Sequence, residues 1–420
     1  MSGRSAEPDT GVLSYGQLSV WRDIESLPRE RRHEANTWAH WEVPPGTTAE
    51  QVRKALRTLG VRHPSLRTVY EVHGGVPRQA VRSFGGGVEL DCVEGSPGDT
   101  GPMTDELLGR AFELGEDFGW RARIVTESGR PTTVLLAKHH IVADGWCDAV
   151  LQRDFRTVLR DPAAPPPTAG PLDLAQWQHS EHRARARESA ALHWEKVYAS
   201  GASGFPLHSA DGFLQCTLRS RRARAGAQAL AERTGAALAS VVLAAYTLAV
   251  ARIGGVEQLV TQVMFSNRSH PQWRSVVTSM NQWVAAPLTV GDSFEEHIAR
   301  VGGATLRAYR HGMYDVDAAA ALQRHADRPY EATCAFNYLR LDGLSTQGGR
   351  GLAEPEDEPQ WERPFSTIGH GCYLRAADEG GDTLALRLRT HGIPRDRVAA
   401  LVTETCSLLA SGLARSAPSI

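Results

Sequence analysis

Lys138-His139-His140-Ile141-Val142-Ala143-Asp144-Gly145-Trp146 follows directly on the apolar run Val134–Ala137. An unbroken apolar run of this length, bounded by turn residues, reads as a buried strand. Two adjacent histidines then close that strand. Four residues after the second, Asp-Gly opens a helix with Leu151, Phe155, Val158 and Leu159 on one face. A histidine at a strand end projects into a crevice without a flexible arm. Imidazole titrates near neutrality, so it can accept a proton from an attacking amine or hydroxyl. An aspartate across a tight turn can fix the loop through hydrogen bonds or an ion pair. The glycine lets a backbone N–H approach a developing oxyanion, and the positive end of the following helix adds to that field.

Other chemistries lack their residues. Adjacent histidines point to opposite faces of a strand and do not readily chelate one ion. No HExxH and no Cys/His cluster completes a zinc site, so no metal is expected. There is no GxSxG elbow, no GxxxxGK[ST] loop and no GxGxxG turn. Serine hydrolysis, P-loop nucleotide chemistry and dinucleotide binding therefore have no warrant.

Outward from the motif, helices and strands alternate. Thr47 and Glu50 suggest a capping box, with Val52, Ala55, Leu56 and Leu59 as the stripe and Gly60 as the stop. A strand is predicted around Leu66–Val72. Asp161 to Leu172 holds Pro162, Pro165, Pro166, Pro167 and Pro171, and suits a linker. Helices are predicted from Leu174 to Tyr198, as a pair between Gln228 and Ile253 stopped by Gly254-Gly255, and over Val398–Leu413. Strands are predicted at Gln258–Phe265, Thr333–Tyr338 and Leu384–Leu388. Gly343 to Pro364 reads as a long loop. The class is α/β with mixed sheets.

Composition narrows the rest. The 420 residues suit two or three domains, and 41% hydrophobic with 22% charged residues is ordinary for globular chains. A formal net charge of −2 gives no field to draw nucleic acid or an anionic membrane. Only Lys54, Lys138 and Lys196 among the 46 basic residues are lysines. That bias reads first as a genomic signature and second as an anion-binding surface. Cys92, Cys147, Cys216, Cys334, Cys372 and Cys406 form no CxxC pair and fit reduced thiols of a cytoplasmic protein. Met1 to Gly11 is polar and carries no secretory signal. Gly235–Ala251 lacks charge, but its alanines, Ser240, Tyr246 and Thr247 favour a core helix over a membrane span.

His139-His140 through Asp144-Gly145-Trp146 resembles the HHxxxDG signature of nonribosomal peptide synthetase condensation domains, in the chloramphenicol acetyltransferase-like superfamily. Leu13-Ser14-Tyr15-Gly16-Gln17 with Trp21 is similar to that family's opening motif. Arg62-His63-Pro64-Ser65-Leu66-Arg67-Thr68 is similar to its RHExLRT motif. Asp173-Leu174-Ala175-Gln176-Trp177-Gln178 and Phe336-Asn337-Tyr338 match later segments in order. Departures fall on the substrate side. Met280-Asn281-Gln282-Trp283-Val284 keeps the floor motif poorly, His311–Asp317 is degraded, and Cys147 stands where a serine is common.

The resemblance implies two acetyltransferase-like lobes in a V with the active site between them. It divides the chain into a flexible tail over 1–11, a first lobe over 12–160, a linker over 161–172 and a second lobe over 173–420. A floor region near 262–290 and a crossing loop near 340–365 complete it, with Glu354–Glu362 as a solvated acidic stretch. It implies a catalytic set of His140, Gly145 and His139. His140 acts as base toward the acceptor, or positions it and stabilises the tetrahedral intermediate. Gly145 offers its N–H to the oxyanion and His139 supports the loop. Asp144 is expected to pair with Arg62 first or Arg67 second, with Trp146 as further support. Asn337 and Cys147 are candidate substrate contacts, while Trp273 and Trp283 suit packing or the floor.

The implied reaction moves an acyl or aminoacyl group from a carrier protein's phosphopantetheine thioester to an amine in natural-product biosynthesis. No cofactor is expected on the chain itself. Met1 and the short tail suggest a free-standing protein meeting its carrier in trans, with a local arginine patch to receive it. Ester formation on a soluble alcohol, and a silent module that recruits partners, are the alternatives.

Overall fold

The computed structural model describes residues 9–415 except 86, 201–203, 206–211, 327–331, 340–357 and 365–366. The chain divides into two compact units. The first runs to Arg185 and recruits Ser266–Gln282; the second takes Ala186–Phe265 and the described chain from Trp283 onward, apart from that segment. The proline-rich stretch 161–172 therefore joins two helices of the first unit, and the passage to the second unit falls at Arg185.

The first unit opens with β1 (Asp9–Val12) and α1 (Tyr15–Glu25), then β2 (Asn36–Glu42) and α2 (Ala49–Arg62). Asp9–Gly11, expected in a flexible tail, instead pair with Val81–Gln79. Strands β3 (Thr68–His73), β4 (Val76–Val81) and β5 (Leu90–Glu94) follow, then α3 (Thr100–Leu108). The long hairpin of β6 (Trp120–Glu127) and β7 (Arg130–His139) leads into α4 (Gly145–Arg160) and α5 (Pro171–His179). One sheet has the order β1-β4-β3 and the other β2-β7-β6-β5, the latter mixed because β5 runs parallel to β6. Val134 to Ala137 are buried in β7, as the apolar run requires.

Local signals explain these elements. The cap of α2 is Thr48 with Gln51, one residue on from the Thr47–Glu50 expectation. Thr47 is spent on the preceding turn, where its N–H donates to the Pro44 carbonyl at 3.2 Å. Val52, Ala55, Leu56 and Leu59 are buried on one stripe, each large aliphatic contributing roughly 1.5–3 kcal/mol. Arg62 ends α2 and bonds Asp154 of α4 through Nε and Nη2, each at 2.8 Å. It also donates to the carbonyls of Ala164 and Pro165, so the proline-rich stretch is tied down rather than loose.

The second unit begins with α6 (Ala184–Ala199), which a break at Ser180 separates from α5. Ser180 leaves helical geometry with ψ 156° and its hydroxyl donates to the Trp177 carbonyl at 2.8 Å, so the predicted helix over 174–198 becomes two. Then come β8 (Phe213–Ser220), α7 (Arg221–Thr234), α8 (Leu238–Gly254), β9 (Gln258–Phe265) and β10 (Gln282–Thr289). After them lie α9 (Phe294–Tyr309), α10 (Val316–Arg324) and β11 (Cys334–Leu339). The last elements are β12 (Gln360–Glu362), β13 (Cys372–Glu379), β14 (Thr383–His391) and α11 (Arg395–Ala410). Seven strands form one mixed sheet in the order β10-β9-β11-β13-β14-β8-β12, with β11 parallel to both β9 and β13. Most of the expected crossing loop lies outside the described residues, and β12 occupies part of its remainder.

Gly235 and Gly255 end α7 and α8 in left-handed geometry, at φ 66° and 67°. Every residue from Val241 to Ala251 is buried, so the uncharged stretch is a core helix. Arg395–Ala414 has the length and hydropathy of a membrane span. Val398, Leu401, Val402 and Leu409 of that segment are nevertheless buried in the second unit's core.

The opening motif is structural. The Ser14 and Gln17 side chains cap α1 reciprocally. The Gln17 amide donates to Tyr70 Oη and Gln79 Oε1, and the Tyr15 N–H donates to Gln178 Oε1 at 2.9 Å. Gly16 meets the 266–282 segment: a Cβ there would stand 2.5 Å from the Ser279 carbonyl oxygen. It would also stand 2.6 Å from Met280 Cα, and both neighbours are backbone and cannot swing aside. Gly16→Ala is expected to cost about 1–3 kcal/mol of stability; an unchanged denaturation midpoint would reject that close approach.

Candidate active site

The site begins where β7 ends. The His139 N–H donates to the Gly119 carbonyl at 2.8 Å, and that of His140 to Ala35 at 2.9 Å, so neighbouring chain segments fix both residues. The turn after them is buried throughout: Ile141, Val142 and Ala143 show no exposure. Ser65 of the Arg62–Thr68 segment donates its hydroxyl to the Val142 carbonyl at 2.7 Å. That segment therefore supports the turn from behind.

His139 is buried, and its Nδ1 accepts the Ile141 N–H at 3.1 Å. Burial, with the neighbouring His140, lowers its pKa to about 3. It stays neutral at physiological pH and holds the turn. His140 is only half-buried. Burial pulls its pKa below the ordinary 6.5 and Lys138 pushes the same way, while Asp144 opposes them. Its Nδ1 lies 3.4 Å from Ser279 Oγ, and Ser279 Oγ lies 3.3 Å from Asn281 Oδ1. A hydroxyl has one proton. With that proton on Asn281, Ser279 accepts from His140 Nδ1–H, which leaves the lone pair on Nε2.

Asp144 caps α4, its Oδ1 receiving the Cys147 N–H at 3.3 Å. It is buried at 2% exposure. Arg268 Nη2 reaches its two oxygens at 3.1 and 3.2 Å, and the Met280 N–H donates to Oδ2 at 3.0 Å. Burial alone would raise this carboxyl's pKa. The Arg268 charge, the Met280 N–H and the Cys147 contact together hold it below the usual range. Arg268 is itself 3% exposed and donates to the carbonyls of Trp273, Val276 and Thr278 at 3.1, 2.8 and 3.0 Å. One guanidinium thus clasps the 266–282 segment onto the motif.

Two expectations are corrected here. Arg62 and Arg67 do not meet Asp144. Arg62 is spent on Asp154, ten residues further along α4 and so roughly 15 Å up its axis. Arg67 donates to the Arg82 carbonyl at 2.8 Å. Cys147 is no substrate contact either: it is fully buried, and its Sγ lies 3.2 Å from both Asp144 and Arg268. Burial and the Asp144 charge push its thiol up to about 12, far from a nucleophile.

Gly145 is exposed, and a Cβ on it would meet nothing within 4 Å. It is the first residue of α4, where backbone N–H groups lack helical partners. Trp146 is 47% exposed, yet its indole N–H is fixed on the Arg274 carbonyl at 2.9 Å. Beneath the motif, buried Lys138 is ion-paired with Asp148 at 2.6 Å. Trp273 packs on Trp177 at 5.3 Å within the first unit, as a packing residue should. Asn337 and Trp283 belong to the second unit, Asn337 on β11. Among the described residues no group of three or more His, Cys, Asp or Glu could hold a metal ion.

Sequence reading missed Arg268, Ser279 and Asn281. Arg268 stands 124 residues from Asp144, and its one local signal is the irregular Asn267, whose φ is 57°. Removing Arg268 leaves a buried carboxylate unpaired, so Arg268→Gln is expected to cost about 3–5 kcal/mol of stability. Asp144→Asn in the same chain should restore part of it, and equal loss in single and double variants would reject the pairing. Because folding depresses the Asp144 pKa, its contribution is present above the ordinary 3.8 and lost as pH falls below it. Asp144→Asn should therefore flatten the acid limb of the stability curve.

Comparison with known proteins gives the family and the fold. The family model described as Condensation domain matches residues 26–338. Nonribosomal peptide synthetase kk1B of Curvularia clavata is 26% identical over 285 residues, 61% of this chain and 2% of that protein. Enniatin synthetase of Fusarium oxysporum is 24% identical over 291 residues, 62% of this chain and 9% of that protein. The chain therefore spans a small part of these relatives. The solved structure of a condensation domain that mediates chain release from the enacyloxin polyketide synthase superposes with a TM-score of 0.77. It is 18% identical and covers 100% of this chain and 87% of that one. The match over residues 26–338 places the chain in the condensation-domain family.

Proposed function

We propose that the chain joins an acyl or aminoacyl group, delivered as a phosphopantetheine thioester on a carrier protein in trans, to an amine acceptor. Condensation domains act with phosphopantetheine-bearing carrier partners, which supports the donor class. The observation that carries the reading is the line from Asn281 through Ser279 to His140, beside the open ground at Gly145.

In this reading the acceptor nitrogen attacks the thioester carbonyl carbon. His140 Nε2 receives a hydrogen bond from the acceptor N–H, aligns its lone pair and takes the proton as the tetrahedral intermediate forms. The carbonyl oxygen becomes an oxyanion facing the Gly145 N–H and the positive end of α4. The C–S bond breaks, the thiolate leaves, and the proton returns to sulfur. Products are an amide and the free carrier thiol. His139 holds the turn, and Asp144 with Arg268 holds the helix start. Trp146 stays a supporting residue. A cytoplasmic setting, where carriers and their thioesters are available, belongs to the same proposal.

A hydroxyl acceptor would need the same Nε2 more, because it must lose its proton as it attacks. Offering the chain a panel of amine and alcohol acceptors decides between the two. With a loaded carrier, His140→Ala is expected to lose at least about 100-fold in turnover; unchanged turnover removes His140 from the mechanism. Activity should fall on acidification at pH values below the ordinary imidazole 6.5, since the base must be neutral and its pKa is lowered. Amide products alone support the amine reading, and ester products replace it. Tight partner binding without transfer from any carrier would mark a silent recruiting module.

A further inference from the structure

The seven-stranded sheet carries a second cluster of chemistry, on the face turned away from its core. On β13, Cys372, Leu374 and Ala376 belong to the core, so Tyr373 between them stands on the opposite face. On β10, Val284, Ala286 and Leu288 are core residues, which turns Trp283 outward in the same way. Ala335 of β11 is paired with Tyr373, and its single methyl group leaves room above the sheet for large rings. The Trp283 ring lies 5.4 Å from that of Tyr373 and 5.0 Å from that of His370, just before β13. It is nearly perpendicular to both, at 88° and 83°. All three side chains are half-buried.

Two of these residues are fixed by their surroundings. Tyr314 Oη donates to the Trp283 carbonyl at 2.7 Å. His370 Nδ1 lies 3.0 Å from the Ala332 carbonyl oxygen. A carbonyl only accepts, so Nδ1 carries the proton and Nε2 the lone pair. Burial lowers the His370 pKa to about 4, with the Ala332 bond opposing and Arg389 adding to it, so the ring is neutral at physiological pH. Among the described residues nothing donates to His370 Nε2 and nothing accepts from the Trp283 indole N–H. Aromatic walls of this kind can hold an organic cation. Here, however, Arg389 already lies 5.5 Å from the Tyr373 ring centre, with its Nη2 donating to the His370 carbonyl at 3.4 Å. That fixed charge disfavours a second cation and leaves the walls to a neutral ring.

We propose that Trp283, His370 and Tyr373 form a binding site for a neutral aromatic ring bearing a hydroxyl group, a ligand of the phenol class. Such a ring packs edge-to-face or offset against the aromatic walls. A hydroxyl matches both unused polar groups: it donates to His370 Nε2, and its oxygen can accept from an N–H such as that of Trp283. The site stands independently of the role given to His140.

The test titrates the full chain with phenol and, separately, with anisole and tetramethylammonium chloride, read by calorimetry. Phenol is expected to bind saturably, and anisole, which lacks the O–H, at least about fivefold more weakly. His370→Phe keeps a ring, loses the acceptor and should abolish that preference. Trp283→Leu should weaken both aromatic ligands at least about tenfold. Trp38→Leu, which removes a half-buried tryptophan of the first unit, should bind as wild type. No saturable phenol binding below about 10 mM, anisole equal to phenol, tetramethylammonium tighter than phenol, or equal loss in Trp38→Leu overturns the site. If Trp283→Leu fails to fold, an unchanged preference for phenol in His370→Phe overturns it equally.

Discussion

One buried ion pair organises the first unit's chemistry. Asp144 and Arg268 are each almost fully removed from water, a condition that costs several kcal/mol per charge unless every hydrogen-bonding site is used. Here most of the sites are used, Arg268 Nε being the exception. The carboxylate receives Arg268, the Met280 N–H and the start of α4, while the guanidinium gathers three backbone carbonyls. The pair is thus less a source of net stability than a device of registration. It decides that the 266–282 segment lies against the motif. Ser279 reaches His140 only because that segment is there.

The surroundings repeat the same logic with different partners. Arg62 and His63 share Asp154, whose pKa falls to about 2 because these two contacts outweigh burial. Lys138 and Asp148 form another buried pair. Around the half-buried His140, then, each neighbouring charge is committed to a structural bond. That leaves the imidazole's own environment to be set by burial, with a modest opposing pull from Asp144.

What could be read from sequence follows the range of the forces involved. The strand before the histidines, the helix start after Asp144-Gly145, the core helix α8 and strand β9 depend on neighbours within a few residues, and local pattern exposes them. Ambiguity entered where two local solutions compete. Thr47–Glu50 and Thr48–Gln51 both spell a capping box, and the turn at Pro44 chose between them. The break at Ser180 turned on one serine bonding back to Trp177. Arg268 lay beyond reach because nothing near Asp144 in sequence encodes a partner 124 residues away. The nearer arginine was the natural guess, and it was already engaged ten residues along the same helix. Gly16 was legible as part of a motif but not as the place where α1 touches Ser279.

The scarcity of lysine looks different beside the Lys138–Asp148 pair. The donor in the proposed reaction is a thioester, and thioesters acylate free amines without help. Lys138 is two residues from His140, yet its ammonium is clamped by a carboxylate and shut from solvent. The remaining cations are almost all guanidinium groups, which stay charged and do not capture acyl groups at neutral pH. Whatever genomic habit produced the arginines, the result is a surface with few side chains that could divert an acyl group onto the protein itself.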